Sequence, residues 1–211
     1  MSGDPGEYVD FFVQVTNRCS QVIDVVVRLD NLPDTWVKLP DAPTRLEPGG
    51  AGTISIRTSP PELPSSTAGD HGFSVSVVQK SNPDKPVKLA GILTVLPLYS
   101  LSMSLQPNII PHNGQGQLVI ENKGNSTESL ALSDTDTLGK VIVRTLAQVM
   151  VDAAMKRTLP VNIQSKSKRP LFGKTTISDF TLTATDSHGG SLSACGKIKT
   201  MPLLSTGSLF I

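Results

Sequence analysis

The stretch FFVQVTNRCSQVIDVVVRL (Phe11–Leu29) decides the fold, because GQLVIENKGNSTESLAL (Gly116–Leu132) repeats its pattern. In each copy an apolar alternation runs into an Asn, a polar turn follows, and a second alternation begins. Phe11, Val13 and Val15 fall on one face of a strand, with Phe12, Gln14 and Thr16 on the other. Past the turn, Val25, Val27 and Leu29 alternate against Asp24, Val26 and Arg28. The first copy continues into GTISIRT (Gly52–Thr58) and GFSVSVV (Gly72–Val78). The second continues into LPVNIQS (Leu159–Ser165) and SDFTLTATD (Ser178–Asp186). Two such copies in one chain predict an all-β protein of two tandem sandwiches, each of about one hundred residues.

Composition agrees with that reading. The chain has 211 residues, enough for two small domains. One Trp, two Tyr and six Phe leave the core to Val, Ile and Leu, and β-branched residues suit a pleated surface. Sixteen Pro and seventeen Gly punctuate many short strands. A net charge of +1 gives no basic excess for nucleic acid and no acidic solvating tail. Cys19 and Cys195 fall one in each repeat, so neither domain holds a disulfide of its own. Two free, partly buried thiols are the preferred reading over a bridge between domains. No run reaches the ~18 apolar residues of a membrane span. The N-terminal MSGDPGEYVDFF lacks the basic and apolar regions of a signal peptide.

Along the first copy, Pro33-Asp34 is a turn and Trp36 a core plug between sheets. Pro60, Pro61 and Pro64 make Ser59–Asp70 a surface loop. Strands Phe73–Val78 and Val87–Leu96 join through Ser81–Lys85. Domain boundaries are set at 1–97 and 98–211. The second domain opens with Leu101, Met103 and Leu105 alternating with serines. With almost no linker, a fixed, rod-like stack is expected. Gly124-Asn125 reads as a hairpin turn between Leu118–Glu121 and Ser129–Leu132. Between Thr137 and Ile163, Leu146, Val149, Met150, Ala153 and Ala154 fit a helical face. They also fit short strands joined at Asp152-Ala153-Ala154, the reading preferred by analogy with Leu46–Arg57.

The first copy resembles the NEW3 domain, a bacterial immunoglobulin-like module. The resemblance rests on Pro5-Gly6, Val13-Gln14-Val15-Thr16-Asn17, Leu32-Pro33-Asp34-Thr35-Trp36, Pro48-Gly49-Gly50 and Ala68-Gly69-Asp70. The second copy resembles a related variant, through Glu121–Asn125, Lys168–Gly173, Phe180–Ala184 and Met201–Leu204. The resemblance implies immunoglobulin-like sandwiches, with Phe172 a core or turn anchor. It also implies an accessory module of a larger bacterial envelope protein, often followed by a membrane helix after the Pro-Leu-Leu segment. Two departures stand out. The strand that usually precedes the first Pro-Gly turn is missing, and the second copy has Asp152-Ala153-Ala154 where the first has Pro48-Gly49-Gly50.

No catalytic, cofactor or metal residue is assigned. Asp70, His71 and Ser74 have the residue types of a triad but read as a polar turn. Asp186, His188 and Cys195 could bring an imidazole to a thiol, yet Cys195 reads as an inward strand residue beside Ala194. His71, His112 and His188 are dispersed. Asp134 and Asp136 lack the Gly and Glu of a calcium loop, and Gly114-Gln115-Gly116 lacks a third glycine and a helix. The basic cluster Lys166, Lys168, Arg169 and Lys174, near Lys156-Arg157, is a candidate interaction loop with weak reach toward an anionic membrane. The expected function is therefore non-catalytic: spacing or docking, with a protein partner or neighbouring domains. The expected location is the cell envelope, with membrane association through flanking segments. A glycan-binding accessory module is the alternative, limited by the scarcity of aromatic platforms. An exposed first-domain edge offers β-augmentation as a docking mode.

Overall fold

A computed structural model describes residues 1–62, 66–136 and 138–204. The chain divides into two compact units, Met1–Leu98 and Tyr99–Ile211. The first unit contains β1 (Ser2–Gly3), β2 (Val9–Thr16), β3 (Ile23–Asp30), β4 (Val37–Lys38), β5 (Thr44–Leu46), β6 (Ala51–Thr58), β7 (Gly69–Gln79) and β8 (Asn82–Val95). A single 3₁₀ turn, Asp34–Trp36, carries the Pro33-Asp34 corner and drops Trp36 into the core. One sheet has the order β1-β8-β7-β3-β5 and faces a second, β2-β6-β4. Between them lie Val13, Val25, Val27, Ile54, Ile56, Val75 and Leu93, all buried. The outward partners predicted from the period-two pattern, Phe12, Asp24, Val26 and Arg28, are exposed.

The second unit contains β9 (Leu101–Gln106), β10 (Ile109–Pro111), β11 (Asn113–Asn122), β12 (Glu128–Thr135), β13 (Val141–Arg144), β14 (Gln148–Val151), β15 (Lys156–Ser165), β16 (Thr176–Asp186) and β17 (Ser191–Thr200). Its sheets run β10-β17-β16-β12-β14 and β13-β15-β11-β9. Strand for strand this is the first unit with one addition. β10 pairs parallel with β17 as β1 does with β8, and β11 pairs with β15 as β2 does with β6. β9 is the addition. It lies along the outer edge of β11, antiparallel, from Gln106 opposite Gln117 to Leu101 opposite Asn122. Among the described residues, no strand takes that place beside β2.

Each unit is knotted at one buried asparagine. Asn17 donates from Nδ2 to the carbonyls of Gln21 (2.8 Å) and Leu46 (3.1 Å), and its Oδ1 accepts from the Cys19 N–H (2.8 Å). Asn122 donates to Ser126 (2.7 Å) and Val151 (3.1 Å) and accepts from the Gly124 N–H (2.9 Å). The partners stand at the same separations in both units: 4, 29 and 2 residues. Each Asn continues the inward alternation of its strand, so its side chain enters the core end. There it satisfies backbone groups where the chain leaves one sheet for the other.

That geometry corrects the reading of Gly124-Asn125 as a hairpin. β11 and β12 belong to different sheets and do not pair. Residues 123–127 form an arch across the sandwich, held by Asn122. The segment after Thr137 is built of strands, as preferred; Thr137 itself lies outside the described residues. The turn at Asp152-Ala153-Ala154 is the same turn as Glu47-Pro48-Gly49. Gly50 N–H bonds to the Glu47 carbonyl, and Met155 N–H to Asp152. Gly49 has φ +73° and Ala154 φ +58°, so an alanine occupies a left-handed position that favours glycine. Ala154→Gly is expected to stabilise the second unit by about 0.5–1 kcal/mol, and Gly49→Ala to destabilise the first by about as much. Urea unfolding of each variant checks both signs.

Three further expectations are corrected. The β7–β8 connection is at Lys80-Ser81, and β8 begins at Asn82, so Pro83-Asp84 lies within the strand. Four residues, Pro83 to Pro86, stand as an irregularity against Val78, because Gln79 pairs with Asn82 and Val77 with Val87. A proline cannot complete a ladder, and the pairing bulges around both. Cys195 points outward: it and Cys19 are free, exposed thiols, while Ala194 faces the core. Phe172, 52% exposed, is no core anchor; of the two expected roles only the place in a bend, between β15 and β16, is kept. Of the proline-rich loop, Leu63, Pro64 and Ser65 lie outside the described residues, as does the tail beyond Leu204.

Candidate protein-interaction site

The vacancy beside β2 shapes a groove. β2 is the edge of its sheet, and β8 is an edge up to the point where β1 meets Thr94 and Val95. Between the two edges runs a hollow of about 310 Å³ lined by Met1, Phe11, Phe12, Phe73, Leu89, Gly91 and Ile92. Phe11 and Phe73 form its floor, their rings 5.5 Å apart. Gly91 lies under the Phe73 ring, and a Cβ there would collide with it. Phe12, Leu89 and Ile92 are half or more exposed at its walls, and Val87 extends the apolar surface. A short strand edge flanked by aromatic and aliphatic side chains is the chemistry of strand addition: main-chain hydrogen bonds supply pairing, and alternate side chains enter the groove.

At the start of β2, beside the groove residues Phe11 and Phe12, Arg57 donates from Nε and Nη2 to the Asp10 carboxylate at 2.7 and 2.9 Å. The guanidinium also lies 5.1 Å from the Tyr8 ring centre. The hydrogen bond from Arg57 holds the Asp10 carboxyl below its ordinary value of 3.8, against desolvation, with the Coulomb attraction adding to it. A depressed folded-state pKa contributes stability above the unfolded value, and that stability is lost as pH falls through the folded one. Asp10→Asn is therefore expected to lower stability slightly above about pH 4 and to leave it unchanged at lower pH, so that the acid-unfolding limb is shallower. Acid titration followed by circular dichroism reads this, and an unchanged limb would refute it.

The candidate catalytic sets do not assemble. Asp70 accepts a hydrogen bond from the Thr94 hydroxyl. His71 faces the interior, its Nε2 2.8 Å from the Thr67 carbonyl and its ring edge-on to Trp36. Ser74, three residues along β7, points to the opposite face. Asp186 caps its own turn, accepting from the His188 and Gly190 N–H groups. Cys195 pairs with Thr181, well down the β16–β17 hairpin from that turn. His112 Nδ1 lies 3.0 Å from the Thr200 hydroxyl. Asp136 accepts from the Leu138 and Val141 N–H groups. Burial works to raise its carboxyl, and the N–H groups of Val141, Leu138 and Lys140 outweigh it, leaving it below its ordinary value. Among the described residues no cluster of three metal-ligating side chains occurs.

The basic residues Lys166, Lys168, Arg169 and Lys174 lie on the exposed connection between β15 and β16. Arg169 Nε donates to the Met201 carbonyl (3.0 Å), and Leu203 and Leu204 pair with Pro170 and Leu171. Exposed Leu171, Phe172, Met201 and Leu203 adjoin the charges. Lys156 and Arg157 begin β15, exposed. Sequence reasoning overlooked a second polar cluster. Glu128, 2% exposed, accepts from the Ser126 hydroxyl, while His188 sits 3.9 Å from its other oxygen and stacks on Tyr99 at 4.4 Å. Its sole sequence signal is a carboxylate at an inward strand position, where the first unit has Ile23.

Comparison with known proteins follows the architecture. No protein-family model matches the chain, and no curated protein does. Solved structures do. The chain is similar to the CupB2 chaperone of Pseudomonas aeruginosa: 10% identity, TM-score 0.35, covering 92% of this chain and 95% of that one. It is similar to the D00-D0 domain of intimin: 7% identity, TM-score 0.37, covering 89% and 99%. It is also similar to a protein of unknown function from Porphyromonas gingivalis W83: 14% identity, TM-score 0.34, covering 93% of each. At TM-scores this low the likeness carries no argument; the strand orders themselves make the chain all-β, each unit a two-sheet sandwich of immunoglobulin-like type.

Proposed function

We propose that this chain is a non-catalytic interaction module, a NEW3-like tandem that docks a protein partner or a neighbouring part of a larger bacterial envelope protein. The carrying observation is the unpaired β2 edge with its apolar groove, a surface suited to main-chain pairing. The ordered motifs from Pro5-Gly6 to Ala68-Gly69-Asp70 support the family reading and, with it, an extracytoplasmic place. No helix among the described residues is long and apolar enough to cross a membrane. The glycan alternative is limited to Tyr8 and Tyr99, 71% and 49% exposed, because Trp36 is buried.

Site-specific photocrosslinking in the native organism tests the reading. A crosslinker at Phe12 or Leu89 should trap a discrete protein, and one at Val26, on the outer face of the opposite sheet, should not. Equal labelling at all three positions, or none, sinks the proposal. Glycan-array binding that depends on Tyr99 would replace it with the alternative.

A further inference from the structure

The second unit shows what fits the groove of the first. There β9 covers the outer edge of β11, and Leu101, Met103 and Leu105 pack on the core while Ser102, Ser104 and Gln106 face out. Leu105 is buried against Gly116 and Gly196, and a Cβ on either glycine would press on it. Gly196 lies under Phe180 as Gly91 lies under Phe73, at matching register in the two hairpins. In the first unit, Phe11 stands where Gly116 stands in the second, and the ring fills part of the space Leu105 occupies. The rest of that space is the open groove.

We infer, resting on the docking function proposed above, that the first unit accepts an extended partner strand in trans. The guest lies antiparallel to β2, opposite Phe12 to Asn17, in the manner of β9. It presents apolar residues at alternate positions, small polar residues between them, and no charge on its inward face. The inward residue opposite Val13 enters between the Phe11–Phe73 floor and the Leu89–Ile92 wall. Pairing follows from the free main-chain groups of an edge strand, and selectivity follows from the alternation.

The probe is a synthetic peptide with the sequence of residues 98–107, LYSLSMSLQP. It is titrated into the full chain, with amide hydrogen exchange read by mass spectrometry. The expected result is protection of β2 and of the Leu89–Ile92 part of β8. A peptide of the same composition with the alternation scrambled should bind at least tenfold more weakly. Leu89→Asp, at an exposed position, should weaken binding at least tenfold while leaving the circular dichroism spectrum and melting unchanged.

Several outcomes overturn the inference. They are equal binding of the scrambled peptide, no protection at saturating peptide, protection confined to the second unit, or peptide-free dimers that cover β2 and assign the groove to a second copy. Failure here with retained crosslinking at Phe12 rejects the strand guest and keeps the docking function. Peptide binding without any cellular crosslink does the reverse.

Discussion

Asn122→Ala is expected to destabilise the second unit by about 2–4 kcal/mol, and Asn17→Ala to do the same to the first. Each side chain is 1% exposed and closes an arch between sheets. Alanine removes the accepted bond together with the donated ones, three from Asn17 and two from Asn122, and it strands the carbonyl of Leu46 or Val151 in a buried place. A single ordinary hydrogen bond is worth about 1 kcal/mol, but an abandoned buried partner costs about 1–3 kcal/mol. The aspartate variants sharpen the test. Asn122→Asp keeps the acceptor for Gly124 yet turns an oxygen toward the carbonyls of Ser126 and Val151, so it should be at least as damaging as alanine. Hydrogen exchange followed by mass spectrometry separates the units, and each variant should loosen its own. A loss under about 1 kcal/mol in both would show that solvent satisfies these groups and that the asparagines are incidental.

Phe180→Ala carries the second large effect, a loss of about 3–5 kcal/mol from the second unit. The ring is 2% exposed and lies over Gly196, with Leu105 of β9 closing the other side. Truncation leaves an enclosed void. Phe73→Ala removes the same ring from the first unit, but into a groove already open, so its cost should fall below that range. The contrast tests whether β9 seals the second core. Gly196→Ala provides the coupling measurement. Alone, its Cβ would collide with Phe180 and press on Leu105; in the Phe180→Ala background much of that clash is gone. Chemical unfolding should show the double variant more stable than the sum of the two singles predicts. Strict additivity would mean that ring and glycine are not in contact.

The sandwich architecture was legible because the period-two alternation survives almost unbroken in Phe11–Leu29 and Gly116–Leu132. Trp36 followed from the Pro33-Asp34 corner, and the strands around Asp152-Ala153-Ala154 from analogy with Leu46–Arg57 in the first copy. What misled was the turn between the two strands of each copy. Gly124-Asn125 has hairpin chemistry, and nothing local distinguishes a hairpin from an arch; that depends on which sheet the next strand joins. The clue lay in parity. Asn17 continues Val13 and Val15, and Asn122 continues Leu118 and Ile120, so both asparagines fall on the inward face. A polar residue there needs backbone partners. Cys195 was misplaced by one position along its strand, which inverts its face. A strand, β1, does precede Pro5-Gly6 and pairs with β8; the open edge lies beside β2, and its groove was not foreseen. It needs Phe11, Phe73 and Gly91, which only tertiary pairing brings together. Glu128 shares the inward parity of Leu130 and Leu132, but its charge and its place beside the turn make it read as a solvated turn residue.

An unpaired β-edge carries a hazard: identical chains can stack on it without limit and precipitate. β8 is the second free edge of the first unit, and its bulged end is suited to prevent this along β8. Pro83 and Pro86 remove ladder donors, Asp84, Lys85 and Lys88 place charge along the margin, and the irregularity opposite Val78 breaks the straight run that a growing aggregate requires. The edge is thus left open over a short span and blocked beyond it. Replacing both prolines with threonine would lengthen the pairable stretch of β8 and favour fibrous self-assembly along that edge.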